Sequence, residues 1–322
     1  MRAFDCVLSC ADVFDFVKIF FMPELPEAET VRRQLEPQIV GARIVEVWAR
    51  TPRITRPSIE DFRAVLRNTR IVAARRRGKQ LYFPLLNGAH LLVHLGMTGR
   101  LHVEQGNDCA LHEYSWPRHV HGVLRFDNGR QLVFTDPRMF GALAVSRELP
   151  FLTAMGPEPI DTDFDERALA QRLATRNTKI KAALLDQSLV AGLGNIYADE
   201  ACFLARVHPA QKAREISPRK MKLLVSHLRP ILERAIEARG ATLKDGGYQD
   251  TFGLDGEYIP HVYGNTGKPC PNCATPIRRG VLGLAKTARS YHFCPRCQPL
   301  KTARDAPKST LATTGESAAS DD

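Results

Sequence analysis

Cys270-Pro271-Asn272-Cys273 and, twenty residues further on, Cys294-Pro295-Arg296-Cys297 form two knuckles of the kind that build a fold around a metal. Each Cys-x-x-Cys turn offers two thiolates, and four thiolates close a tetrahedral site around one Zn2+. The segment between them is long enough for a hairpin, and Pro271 and Pro295 suit tight turns at its base. The alternative is four reduced thiols without metal. With sulfur in all four positions the zinc is structural, because no position is left for substrate or an activated water. It holds together a hairpin too small to fold on a core of its own. That hairpin carries Arg278, Arg279, Lys286 and Arg289, which suits the grip of a polyanion. Cys6 and Cys10 are scattered, as are Cys109 and Cys202, which are expected to be a loop thiol and a buried helix residue without a role. Such cysteine usage fits a reducing compartment, where disulfides are rare.

Outward from the hairpin, the chain has 322 residues, 44% hydrophobic and 25% charged. These values fit a globular protein of two or three domains and exclude a fibre or a wholly disordered chain. No apolar run reaches the roughly 20 residues of a membrane span. Residues 1–21 are partly apolar, but Asp5, Asp12 and Asp15 break the run and no small-residue cleavage site follows, so no secretory signal is read there. Forty-five Lys and Arg face 35 Asp and Glu, a net charge of +10. Residues 1–21 and 301–322 each carry −1, so residues 22–300 hold +12. The excess points to an anionic partner, nucleic acid ahead of a membrane surface. Basic density peaks between Arg50 and Lys79, where Arg75, Arg76, Arg77 and Lys79 are nearly contiguous.

From Met22 to Pro150 the pattern is strands and turns. Strands are expected over Arg43–Arg50, Gln80–Leu86, Ala89–Leu95, Gly122–Phe126 and Gln131–Thr135, with Asp127-Asn128-Gly129 turning a hairpin. Two helices interrupt them, one from about Pro26 to before Gly41 and one over Ser58–Leu66 with Ser58 as N-cap. After Gly156-Pro157-Glu158-Pro159 the pattern turns helical, over Asp165–Ala174, Ile180–Asp186, Ile196–Ala205 and Pro218–Ala238. Leu243–Gly256 is rich in Gly and Asp and reads as a mobile loop. The expected divisions are an extension (1–21), a strand-rich domain (22–150), a helical domain (157–245), a loop (246–260), the cysteine hairpin (261–299) and a disordered tail (300–322).

Met22-Pro23-Glu24-Leu25-Pro26-Glu27 carries the chemistry. Alone it is a rigid, capped helix start. If translation begins at Met22, trimming of that Met leaves Pro23 with a free secondary amine. An α-amine has a pKa near 8, so a useful fraction is neutral at pH 7. A neutral amine can attack an aldehyde-like carbon and form an iminium, an electron sink, with Glu24 beside it to move protons.

Seven motifs in order now resemble the formamidopyrimidine-DNA glycosylase family, over residues 22 to 298. They are Pro23–Glu27, the basic run ending Arg77-Gly78-Lys79, and His94-Leu95-Gly96-Met97-Thr98-Gly99. Asp136-Pro137-Arg138-Met139-Phe140-Gly141, Gly156-Pro157-Glu158-Pro159, Gly192-Leu193-Gly194-Asn195-Ile196-Tyr197 and the cysteine hairpin complete the set. The resemblance implies an α+β multidomain fold: an N-terminal β-sandwich with flanking helices, a helix-two-turn-helix domain and a C-terminal four-cysteine zinc β-hairpin, with duplex DNA in the cleft. It implies base excision repair of oxidised purines, 8-oxoguanine and formamidopyrimidines, followed by strand nicking through β,δ-elimination. Pro23 then matches the nucleophile at C1′, Glu24 the proton donor that opens the sugar, Lys79 the β-elimination lysine and Arg289 the δ-elimination arginine. A stacked base must be flipped out to be reached. Met97, Arg138 and Phe140 match the residues that fill the hole, where ordinary core packing is the alternative for Met97 and Phe140. His119, Lys181, Asn195 and Arg289 match phosphate contacts. The 246–260 loop matches the lesion-recognition loop. One structural Zn2+ and damaged double-stranded DNA are the expected cofactor and partner, for a cytoplasmic, bacterial-type, nucleoid-associated monomer with no membrane contact.

Three departures stand out. Met139 occupies a position where the family usually has a second arginine. The interval between the cysteine pairs is about four residues longer than usual, with Gly283-Leu284-Ala285-Lys286 extending the hairpin tip. Residues 1–21, if attached, make Pro23 an amide without an N–H, so translation is expected to start at Met22. Two rival functions are an endonuclease VIII-like glycosylase for oxidised pyrimidines and, from another class, a non-catalytic zinc-dependent DNA-binding protein.

Overall fold

The computed structural model describes residues 23–107, 109–112, 114–243, 247–283 and 288–300. The expected extension at 1–21, the tail beyond Leu300, most of the hairpin tip and residues 244–246 of the loop region lie outside the described residues.

Helix α1 (Leu25–Ile39) opens the described chain, with Glu24 as N-cap and Pro26 in its first turn. Two sheets follow. Strands β1 (Ile44–Ala49), β7 (Val120–Phe126), β8 (Arg130–Thr135) and β6 (Arg100–Gln105) form an antiparallel sheet in the order β1-β7-β8-β6. Strands β2 (Thr55–Arg56), β9 (Ala142–Ser146), β5 (His90–His94), β4 (Gln80–Pro84) and β3 (Arg75–Arg77) form the second, with β2 parallel to β9. Leu91, Val93 and Leu143 of one sheet meet Leu101, Leu124, Leu132 and Phe134 of the other in a shared core, which Val31, Leu35 and Ile39 of α1 close. Helix α2 (Ile59–Leu66) adds Phe62 and Leu66, and the Ser58 hydroxyl accepts the Asp61 N–H as expected of its N-cap (3.0 Å).

The short helix α3 (Phe151–Ala154) leads into the helical domain. There α4 (Glu166–Ala174), α5 (Ile180–Leu184), α6 (Asn195–Leu204), α7 (Pro218–Ser226) and α8 (Leu228–Glu237) enclose a core of their own, which also takes Leu25 from the start of α1. The single helix expected over Pro218–Ala238 is two helices, parted at His227. Pro230 explains the break: it has no N–H for the Ser226 carbonyl and its ring crowds that group.

The hairpin pairs β10 (Arg278–Leu282) with β11 (Arg289–Phe293). Its base docks on the helical domain through Gln298, whose amide donates to the Val207 carbonyl (2.8 Å) and accepts the Cys294 N–H (2.9 Å). The loop expected to be mobile has no regular element over its described residues, yet it is tied down. The buried Asp250 carboxylate accepts the N–H groups of Phe252 and Leu254 (2.9 Å each). Gln34 of α1 donates to Asp250 (3.0 Å) and accepts the Thr251 N–H (3.0 Å). Composition reports the turn residues, but not these long-range partners.

Candidate functional site

The two large domains meet at Pro23–Glu27. Pro23 is buried and leads directly into Glu24, 1% exposed. The Glu24 carboxylate points into the N-terminus of α6, accepting the N–H of Gly194 and of Ile196 (2.8 Å each) and, more weakly, of Tyr197 (3.4 Å). A helix N-terminus is built to meet an anion there. Gly194 is required at this approach, since a Cβ would lie 2.3 Å from the Glu24 carboxyl carbon. Burial is nevertheless the largest influence and raises the Glu24 carboxyl above its ordinary value, against the Lys79 charge and the three amides, which lower it. The result is a carboxyl able to hold a proton closer to neutrality than a surface glutamate.

Glu27, one turn on, is buried as well. It accepts the Glu24 N–H (3.0 Å), the Tyr197 hydroxyl (2.6 Å) and the Ala241 N–H (2.9 Å). Burial first, and then the charge of Glu24, push its pKa up to about 7. Glu27 thereby ties the N-terminus to α6 and to the base of the 246–260 loop.

Lys79 reaches this pair from the turn between β3 and β4, a two-residue turn with Gly78 first, at a φ of +57°. Burial lowers its pKa; the charges of Glu24 and Glu27 oppose that and Arg289 adds to it. Lys79 is therefore within electrostatic reach of both glutamates and of the hairpin arginine. Its turn is fixed from behind by Glu158, which accepts Arg76 (2.6 Å), Arg77 (2.9 Å) and the Gly78 N–H (2.7 Å). Arg76 also pairs with Glu29 (3.1 Å). Burial raises Glu29, but hydrogen bonds from Arg32 and Arg33 and the charge of Arg76 outweigh it and hold that carboxyl down at about 2.

Met97, Arg138 and Phe140 come together on adjoining turns. Asp136 joins these turns: it accepts the Thr98 hydroxyl (2.5 Å) and the N–H groups of Arg138 (3.2 Å) and Gly141 (2.7 Å). Met97 is half-buried, Phe140 is exposed, and the Arg138 guanidinium lies 4.9 Å from the centre of the Phe140 ring. Phe140 therefore does not take the core-packing alternative. Met139, between them, turns inward at a φ of +52° and packs on the sandwich core.

His119 is exposed at the turn before β7, and Asn195 opens α6. Lys181 differs from the surface phosphate contact expected of it. Its side chain has no exposed surface, and its ammonium is 2.8 Å from the Asp199 carboxylate. A direct contact with DNA is closed to it in this arrangement.

The four hairpin cysteines place their sulfurs within 4.8 Å of one another. Three separations are 3.9 Å (Cys270 to Cys297) and 3.5 Å (Cys273 to Cys294 and to Cys297). A tetrahedron with zinc–sulfur bonds of about 2.3 Å has edges of about 3.8 Å, whereas a disulfide needs about 2.05 Å. The residues fit a tetrahedral metal ion.

Glu27, Glu158, Tyr197, Asp136 and Asp199 carry no separate role in the sequence pattern, although four of the five stand inside the seven motifs. For Asp136 and Glu158 the available signal was an acidic residue in a turn rich in Gly and Pro, where a carboxylate commonly answers backbone N–H groups; Glu27, Tyr197 and Asp199 lie inside helices and carried no such signal.

Family profiles place these regions among known proteins. The profile described as "Formamidopyrimidine-DNA glycosylase N-terminal domain" matches residues 22–143, and "Formamidopyrimidine-DNA glycosylase H2TH domain" matches residues 155–246. The formamidopyrimidine-DNA glycosylase of Symbiobacterium thermophilum is 46% identical over 288 residues, 87% of this chain and 90% of that protein. The crystal structure of the MutM (Fpg) protein from Thermus thermophilus superposes with a TM-score of 0.75 at 39% identity, covering 87% of this chain and all of that one. The Lactococcus lactis Fpg bound to DNA containing an abasic site does so with a TM-score of 0.74 at 34% identity, covering 86% and 99% of the respective chains.

Proposed function

The chain belongs to the formamidopyrimidine-DNA glycosylase family, and from that premise we propose which of its residues carry the reaction. It is a DNA-repair glycosylase that excises oxidised purines and acts as a lyase at abasic sites. The Pro23 nitrogen attacks C1′ of the flipped nucleoside and displaces the damaged base. Glu24 delivers its proton to the sugar ring oxygen, and ring opening leaves an iminium between Pro23 and C1′. With the iminium as electron sink, Lys79 assists loss of the C2′ proton, and the 3′ phosphate departs by β-elimination. Arg289 assists the second, δ-elimination, which releases the 5′ phosphate.

The observation that carries this assignment is the convergence of Pro23, Glu24 and Lys79 in one largely buried corner. Burial raises the carboxyl that must donate a proton and lowers the amine that must accept one. The nucleophile must be an amine, so the active protein begins at Pro23. The N-terminal match beginning at residue 22 supports that boundary.

Met97, Arg138 and Phe140 fill the gap left by the flipped nucleotide, and the exposed Phe140 ring suits stacking. His119, Asn195 and Arg289 receive backbone phosphates of damaged double-stranded DNA. The cysteine cluster holds one Zn2+, which maintains the hairpin and takes no part in chemistry. Among the described residues no helix is long and apolar enough to cross a membrane. A bacterial cytoplasmic monomer associated with the nucleoid remains the expected setting.

Borohydride trapping on a duplex with 8-oxoguanine opposite C tests the assignment, using protein whose mature N-terminus is verified by intact mass. A covalent adduct mapping to Pro23 is expected, and Pro23→Gly should lower its yield by about 100-fold or more while leaving DNA binding within a few-fold. Binding without an adduct, or efficient trapping by protein that retains residues 1–22, overturns it. Excision of thymine glycol in preference to 8-oxoguanine would favour the pyrimidine-directed alternative.

A further inference from the structure

Strand β11 is the edge of a two-stranded sheet, and its outer edge meets the helical domain rather than another strand. Two backbone groups there, two residues apart, are answered by one buried ion pair. Lys181 donates to the Ser290 carbonyl (2.6 Å) and Asp199 accepts the His292 N–H (2.7 Å). The pair closes on itself at 2.8 Å, and neither side chain has exposed surface. Lys181 also donates to the Asn195 carbonyl (3.3 Å), and its ammonium stands 5.7 Å from the centre of the Tyr263 ring. The His292 ring meets Asp199 (Nδ1 at 3.4 Å) and packs edge-on against Tyr263.

This arrangement is specific to register. In an antiparallel strand the groups of every second residue point outward, so a slip by one residue turns those of Ser290 and His292 inward, brings their neighbours' groups out in their place and takes the His292 ring away from Asp199. The same slip carries Arg289, next to Ser290, to the wrong face. A buried ion pair contributes little net stability against apolar residues of equal volume; its best-attested use is to specify one arrangement among several.

We propose that Lys181 and Asp199 are a positioning pair across the domain boundary, which sets β11 so that Arg289 and the Asn195 turn engage the same DNA strand. The inference rests on the roles assigned above to Arg289 and Asn195. Lys181 thereby serves DNA binding through its neighbours, without touching a phosphate.

The test uses zinc-loaded protein on an abasic-site duplex, with four readouts: melting temperature, dissociation constant, borohydride adduct at saturating DNA, and the ratio of δ- to β-elimination product. Asp199→Asn keeps the Lys181 charge but removes its partner. The double variant Lys181→Met with Asp199→Leu removes both charges and fills the space, which guards against a variant that cannot fold. Positioning predicts an adduct yield close to wild type, and a δ-to-β ratio lower by about tenfold or more because Arg289 is displaced. Asp199→Asn should also bind DNA more weakly. Tighter binding by Asp199→Asn with an unchanged ratio would mean that Lys181 is itself a phosphate ligand, and the proposal fails. It fails equally if all readouts fall in parallel with melting temperature, or if the double variant nicks like wild type. Absence of any adduct with the wild-type protein would instead overturn the functional assignment beneath it.

Discussion

Two stretches of this chain are both basic on paper and opposite in use. Arg75-Arg76-Arg77 with Lys79 is the densest cationic run in the sequence. In the fold, Arg76 and Arg77 are taken by Glu158, and Arg76 also by Glu29. Only Arg75 of the three arginines is exposed. On the hairpin, Arg278 and Arg279 are both exposed, and no carboxylate pairs with either among the described residues. The first stretch uses its charge to build a clamp that presents one lysine. The second leaves its charge to the solvent, where a phosphate backbone can reach it. A count of cations therefore locates neither function: what separates the stretches is where the carboxylates lie, and Glu158 is about eighty residues from the arginines it holds.

Glu158→Gln tests the clamp with the largest expected effect. It leaves two guanidiniums with half their partner, one of them 7% exposed, beside a glutamate that is itself 3% exposed. Breaking one side of a buried charge pair costs about 3–5 kcal/mol. The turn bearing Lys79 would also shift, and misplacement of a reacting group by about 1 Å costs about 100-fold in rate. Denaturant melts and abasic-site nicking would measure the two effects. If Glu158→Gln melts and nicks like wild type, the Arg75–Lys79 run is not a clamp and the contrast with the hairpin disappears.

The same contrast marks how much was legible. Strands β1, β4, β5, β7 and β8, helices α1 and α2, and the cysteine hairpin could be read because their signals are local: alternation, an N-cap serine, Asp-Asn-Gly, paired Cys-x-x-Cys. Strands β2, β3, β6 and β9 escaped: Thr55–Arg56 is only two residues long, Arg75–Arg77 looks like a surface run, and Ala142–Ser146 lacks polar alternation, being buried throughout. At the site, the types and order of Pro23, Glu24, Lys79 and the cysteines were enough to single them out as candidates. The partners of those residues were not, because Glu24 is held by amides some 170 residues away and Glu27 by Tyr197 and Ala241. Lys181 shows the limit most sharply: the family resemblance implies a phosphate contact, whereas its burial and its pairing with Asp199 leave it no exposed surface.

A second contrast sharpens the first. Glu158 answers two cations, whereas Glu27, equally buried, is met by neutral donors: a tyrosine hydroxyl and two backbone N–H groups. Its pKa rises from 4.5 to about 7. The folded protein then binds more protons than the unfolded chain between those values, so stability falls as pH rises through that window. The contribution is full below about pH 4.5 and lost above about pH 7, and amounts to about 3 kcal/mol if the whole shift is realised. Buried histidines whose pKa is lowered, His94 and His208 to about 4, act in the opposite direction, so the slope belongs to the difference in denaturant midpoint between wild type and Glu27→Gln, which should fall as pH rises. A difference of opposite sign would mean that Glu27 is ionised in the fold, as a carboxylate beside a cation would be.

The smallest effect is the one that divides the two basic stretches most directly. Replacing Arg278 and Arg279 with alanine should leave the melting temperature unchanged, because exposed charges contribute little to stability. It should weaken DNA binding and lower the slope of log affinity against log salt by about 0.9 for each phosphate that is no longer neutralised. Arg76→Ala should do the reverse, lowering the melting temperature while leaving the slope intact. The measurement is a salt titration of binding to one abasic-analogue duplex, run beside a thermal melt for each variant. If the hairpin variant keeps the full slope, the phosphates are gripped elsewhere, and the exposed Arg75 would be the next position to replace. If Arg76→Ala lowers the slope without affecting the melt, then a guanidinium that reads as internally neutralised is counted by the DNA after all. That outcome would require the clamp to open on binding, and the two stretches would differ only in the free protein.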